Sequence, residues 1–360
     1  MVLKGIAILA IVLHNYFHRL WGAVGENEFD FESDRLRSFM STVGEPTRLI
    51  QAFFSYFGHY GVLLFIFLSA YGLAIAHWQP LNYREFLWSR IRKIYPTWFI
   101  VVALYLAFEL ARRGPDWLLS VLNDHALDLV LTTLGVATLL PGYNFEPVGP
   151  WWFLPYIMQF YVLWPLLALF ARRFGGTGLV VLSVLGTGLW TEFPGRLQEL
   201  PAIRLLFTPI GHLPSICLGI AYARFGARVG PWSATGAAVF FALGNHYRWF
   251  WPVSFIGALV LMLYIYQHTS TWLRTSRFLA CVGGISMPLF FVNGFLRPPF
   301  WTLAASGAWY AELGAAVCFT AFSLAVAFLV AWLARRIARA ASGGPPSAGP
   351  APLAALGTGE

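Results

Sequence analysis

Two histidines lie in the first apolar run of the chain, His14 and His18, one helical turn apart on one helix face. An ionisable side chain inside a membrane segment is costly without a partner or a cavity, so it points to function by default. A structural, satisfied histidine is one reading of His14. A proton-transfer group is the favoured one, because imidazole exchanges protons near neutral pH, as acyl transfer to a hydroxyl requires. A metal site would need further His or carboxylate ligands converging there, and the sequence offers no obvious ones, so metal ligands are assigned as none. A second cluster is Arg90, Arg92 and Lys93. Arg90 and Lys93 are three residues apart and share a face. Such cations serve as topological charge, as lipid-phosphate anchors, or as a clamp for an anionic donor. Arg grips phosphate as a bidentate fork, and Lys as a point charge. A third candidate is Ser69, with small neighbours at Ala70 and Gly72. It has no evident base beside it, so close packing or substrate hydrogen bonding fits it better than nucleophilic attack.

These residues need elements to hold them, and composition says which kind. Of 360 residues, 58% are apolar and only 11% charged. A soluble domain carries about 25% charged residues. Apolar runs near the 18 residues that a bilayer core demands recur from the first residues to about residue 340. The expected fold is therefore all-α, a polytopic integral membrane bundle. Spans are read at roughly 4–22, 58–77, 94–112, 151–171, 178–193, 207–223, 232–249, 251–270, 278–297 and 310–333. A shorter stretch at 126–140, ended by Pro141-Gly142, is read as re-entrant or interfacial. With ten spans and both termini cytoplasmic, every inside connection is basic: Arg84 to Lys93, Arg172-Arg173, Arg224 and Arg228, Arg274 and Arg277, and Arg335 to Arg339. Counting 126–140 as a full span would move each later cluster outside, against the positive-inside rule. The domain reading is a membrane domain over 1–341 and a disordered Pro/Gly/Ala-rich tail over 342–360. Residues 23–52 read as a long, charged outside loop. The first run has no cleavage site after it and reads as a retained helix rather than a signal peptide.

The net charge of +8 does not imply nucleic acid, since the basic residues are scattered between apolar runs rather than clustered. Cys217, Cys281 and Cys318 all fall within apolar runs and are expected in the core.

Several segments in order resemble the acyltransferase 3 family of membrane O-acyltransferases. Lys4 to His14 matches that family's basic residue, small residues and His ten positions later. Gly61 to Ser69 is similar to its Gly-Val…Leu-Ser segment, and Arg90 to Pro96 to its Arg-x-x-Arg-Ile-Tyr-Pro. Trp152-Phe153-Leu154 with Gln159-Phe160-Tyr161 and Pro165 resembles its Trp-Phe-Leu…Gln-Phe-Tyr…Pro. Gly284 to Asn293 resembles a late helix of the family. The chain departs from the pattern at Lys93 for Arg, Ile157 for a frequent Glu, Asn293 for the late His, Met287 for Tyr and Ala70 for Gly.

The resemblance implies an acyltransferase, most of all an O-acetyltransferase. It would take acyl-CoA (acetyl-CoA) as co-substrate, with no permanently bound cofactor. The acceptor would be a glycan or lipid-linked sugar of the cell envelope, and the site the inner (plasma) membrane, among membrane lipids. Arg90, Arg92 and Lys93 would hold the donor phosphates, His14 would act as base, and Ser69, Trp152, Tyr161 and Asn293 would contact the acceptor. The missing late His and Glu leave a second class open: a non-catalytic protein that exports or flips a polysaccharide or lipid-linked sugar. An ion-coupled carrier fits less well, because no internal repeat is visible.

Overall fold

The computed structural model describes residues 1–20, 31, 33–140, 142–143, 146–192 and 205–342. Most of the acidic stretch at 23–34 and the tail from 343 onward lie outside the described residues. All regular structure among the described residues is helical.

The elements run as α1 (Val2–Leu20), α2 (Ser33–Thr42), α3 (Leu49–Phe57), α4 (Tyr60–Ala76), α5 (Tyr83–Arg113), α6 (Pro115–Thr133), α7 (Phe153–Glu192), α8 (Leu213–Arg224), α9 (Pro231–His246), α10 (Trp251–His268), α11 (Thr271–Arg274), α12 (Arg277–Gly284), α13 (Ser286–Val292), α14 (Pro298–Leu303) and α15 (Trp309–Ser342). Among the described residues, four helices are long and apolar enough to cross a membrane, and up to six if each of two bent pairs is one span. The protein is an integral membrane protein. Its outer face is apolar, with Phe99, Leu166, Val180 and Ile265 all exposed, as lipid contact requires.

Three departures from the sequence reading have local causes, and one expected boundary is kept. The stretch read as a loop at 23–52 carries α2 and α3 in its described part, and α3 joins α4 in a bent pair at 48°. Gly58 and His59, which looked like a boundary, are the bend. The two spans read at 151–171 and 178–193 are kept as two helices within α7 that meet at a kink at Gly175, where φ is 63° and ψ is −157°. A side chain rarely adopts that conformation. The span read at 278–297 is broken between α12 and α13, with a bend of 54°. Pro288 explains it, because its ring clashes with the carbonyl four residues earlier. Of the cysteines, only Cys217 is buried, while Cys281 and Cys318 are exposed. In a bilayer the outside is as apolar as the core, so apolar sequence cannot distinguish the two.

Helix α5 has 31 residues, about 46 Å at 1.5 Å per residue, against about 30 Å of hydrocarbon. It therefore exceeds the hydrocarbon by about 16 Å in all, and its basic residues gather toward its two ends, Arg84 to Lys93 and Arg112-Arg113. The C-terminal carbonyls of α4 are covered from the first of these ends. Arg224 donates to Ala74 and Ile75 (2.7 and 3.1 Å), Arg172 to Trp78, and Trp164 to His77 (3.2 Å). Cations there satisfy orphan carbonyls and complement the helix dipole.

Candidate active site

Helix α1 is the spine of the site, and backbone-to-backbone crossings fix it. A Cβ on Gly5 would lie 2.1 Å from the Leu279 carbonyl oxygen, and one on Gly61 2.7 Å from that of Ala7. At Gly58 it would meet the His14 Cβ at 2.6 Å and the Ala10 oxygen at 2.7 Å. Only glycine permits these approaches.

The Gly58 crossing turns the end of α3 toward His14. His14 is buried, and its Nδ1 lies 3.1 Å from the Phe54 carbonyl oxygen. A carbonyl can only accept, so Nδ1 carries the proton and Nε2 is left as the basic nitrogen. The rings of His18 and His59 pack beside it, with centroids 4.9 and 5.6 Å away.

Across from α1, Asn15 donates to the Asn293 Oδ1 at 2.8 Å, and Asn293 donates to the Phe290 carbonyl at 2.6 Å. Arg297 donates to the carbonyls of Gly294 (2.8 Å) and Asn15 (2.7 Å). A small cavity of 30 Å³ is lined by His14, Asn15, His18, Trp152, Phe290 and Arg297, among others. That volume holds about two waters.

The second centre lies at the other end of α1. Arg90 donates to His77 Nε2, and its guanidinium carbon is 5.0 Å from the Phe86 ring and 5.5 Å from the Tyr161 ring. His77 follows the last residue of α4. Burial, then the neighbouring Arg90 charge, holds its imidazole below the ordinary range, so it remains an acceptor. Lys93 lies within electrostatic reach of Arg90 and of Lys4. Lys4 precedes His14 by ten residues, about 15 Å of helix.

The residues singled out in sequence thus divide. His14 and Trp152 line one cavity, and Asn293 is one hydrogen bond away through Asn15. Arg90 and Lys93 gather at the opposite end. Tyr161, expected along the acceptor path, stacks on Arg90 instead, because α7 packs against the first turns of α5. Arg92 turns away from Arg90 and lies over Trp88 at 5.1 Å. Ser69 donates to the Phe65 carbonyl at 2.8 Å, a bond within its own helix. Among the described residues, it neither lines the His14 cavity nor bonds to the Arg90 cluster. Sequence reading missed His59 and Arg297. Both are ionisable residues at the edges of apolar runs, and Arg297 lies one turn beyond Asn293, so the rule that drew attention to His14 applies to them too.

The acyltransferase domain that defines the acyltransferase 3 family matches residues 2–333, nearly the whole chain. The chain belongs to the acyltransferase 3 family. It is accordingly a membrane acyltransferase, moving acyl groups other than aminoacyl groups. No curated protein and no solved structure matches it. In this acyltransferase, the match takes in both the His14 cavity and the Arg90 cluster.

Proposed function

We propose that this acyltransferase is an O-acyltransferase that carries an acyl group, most simply acetyl, from acyl-CoA at its cytoplasmic end to a glycan hydroxyl at the opposite end. The observation that carries this reading is the pairing along α1: a basic cluster around Lys4, Lys93 and Arg90, and a histidine of fixed tautomer about three helical turns on.

In this reading, the donor phosphates rest against Arg90 and Lys93, and the thioester reaches the His14 cavity. His14 Nε2 takes the proton of the acceptor hydroxyl. The oxygen attacks the thioester carbonyl, and the Arg297 guanidinium, also on the cavity wall, stabilises the charge on the carbonyl oxygen. The C–S bond then breaks, and the thiolate takes the proton from the His14 imidazolium. The Phe54 carbonyl supports the imidazolium through Nδ1 throughout.

Ten crossings with both termini cytoplasmic, in the inner membrane, complete the proposal. It is supported by α1 and α5 running in the same direction: Lys4 lies near Lys93, while Arg19 shares a cleft with Arg112 and Arg113.

The test is transfer of radiolabel from acetyl-CoA to membrane or exported glycan, with wild-type and His14→Ala protein. Label transfer that depends on His14 is expected. Wild-type transfer by His14→Ala would remove the base assignment. Absence of transfer with glycan export intact would favour a non-catalytic role.

A further inference from the structure

One amide, on a helix that carries no residue of the candidate site, holds both arms of the bend between α3 and α4. Asn245 is buried in the last turn of α9 and donates from Nδ2 to the Phe241 carbonyl of its own helix at 2.8 Å. With Nδ2 committed there, Oδ1 is the atom left to accept. Tyr56 on α3 donates its hydroxyl to that oxygen at 3.0 Å. Tyr60, the first residue of α4, donates to the same oxygen at 3.3 Å and lies 3.3 Å from the Ser254 hydroxyl of α10. Ser254 gives its own proton to the Trp251 carbonyl at 2.6 Å, so it faces Tyr60 as an acceptor.

A polar side chain within an apolar helix is costly unless bonded, and bonds across helices are what such residues supply. Here they join two helices that meet at 48° to a single atom. The base of the clamp is firm. A Cβ on Gly244 would lie 2.5 Å from the Phe250 carbonyl oxygen and 2.5 Å from the Ser254 Cβ, so α9 and α10 meet backbone to backbone beside Asn245.

The bend matters for what lies on it. The Phe54 carbonyl accepts from the Gly58 N–H at 3.0 Å and lies 3.1 Å from His14 Nδ1. Its direction therefore follows the angle at which α3 runs into Gly58. The Tyr60 ring also packs on His59, with centroids 4.0 Å apart, and His59 packs on His14. We infer that Asn245 is a positioning residue for acyl transfer: its amide pins both arms of the α3–α4 bend and so keeps the Phe54 carbonyl on His14 Nδ1. The inference rests on the proposed role of His14 for its effect on rate, but the coupling of Asn245 to the His14 ring is measurable without chemistry.

The test uses the full chain in nanodiscs with isotope-labelled histidine. Nitrogen NMR reads the tautomer, since protonated and bare ring nitrogens are distinct, and the His14 signals are assigned by their loss in His14→Gln. Wild type should show His14 protonated at Nδ1 alone. Asn245→Leu keeps the size of the side chain and removes its polar atoms. It should add the Nε2-protonated form and lower kcat for transfer from acetyl-CoA about tenfold or more, with KM for acetyl-CoA within about twofold. Tyr56→Phe combined with Tyr60→Phe removes only hydroxyls and should act in the same direction, which keeps the test open if Asn245→Leu fails to fold. A purely structural role would lower the melting temperature and leave the tautomer as it was. An unchanged His14 signal in the folded variants overturns the inference, whatever the rate. A mixed tautomer with lower kcat supports it. A mixed tautomer with wild-type transfer upholds the coupling and counts against His14 as the base.

Discussion

The two ends of α1 are built in opposite ways. At the His14 end, side chains hold each other and the backbone: His14 to Phe54, Asn15 to Asn293, Arg297 to Asn15, around a small cavity. At the Lys4 end the cations stand on the first turns of α1 and the N-terminal third of α5. Lys93 is exposed, and among the described residues Arg90 has one side-chain hydrogen-bond partner and two aromatic neighbours. The difference matches the two tasks proposed for these ends, which need different physics. Proton transfer depends on geometry held to fractions of an ångström, whereas capture of a charged donor depends on charge and access.

The comparison breaks most severely at His14. His14→Ala should lower acyl transfer by about 10²–10⁴-fold, while donor affinity, read by equilibrium binding of acetyl-CoA, stays within about twofold. Equal losses in both would mean that the ends are not separate. Next in size is Gly58→Ala. The new methyl meets His14 and two carbonyls at under 3 Å and should cost about 1–3 kcal/mol of stability, visible as a lower melting temperature, with transfer reduced. Arg90→Ala should weaken donor binding by about tenfold or more, the scale of a charged hydrogen bond at about 1.5–3 kcal/mol. The rate at saturating donor should change little. Asn293→Ala removes one buried bond to Asn15 and should cost about 1 kcal/mol, with a several-fold loss of transfer. Arg92→Ala and Ser69→Ala should be near neutral, within about 0.5 kcal/mol in stability, in both donor binding and transfer. A large effect of Arg92→Ala on donor affinity would redraw the inner cluster.

Much of this was legible before any coordinates. The helical membrane fold follows from composition, and the Lys4–His14 spacing states the separation of the ends outright. What stayed hidden depends on long-range approach. His59 reaches His14 only because Gly58 lets α3 and α4 bend against α1. Arg297 reaches Asn15 only because the chain turns after α13. Tyr161 was placed with the acceptor because sequence cannot say which residues of α7 face α5. Residues 23–52 were taken for a loop on their charge and their place between two apolar runs, although α3, which begins at Leu49, is apolar and buries Gln51 and Ala52.

The glycine crossings on α1 have one more consequence. Locked at Gly5 by Leu279 and alongside Gly58 and Gly61 by the α3–α4 bend, α1 acts as a gauge block between two fixed stops. On the proposed mechanism, its length in residues sets the stroke of the reaction. Adding one alanine between Ala7 and Leu13 would advance His14 by about 1.5 Å and swing it by about 100° around the axis, carrying the imidazole off the Phe54 carbonyl while every catalytic side chain remained present. On that mechanism the count of residues between two ends is itself a functional quantity, one that substitution leaves untouched and insertion destroys.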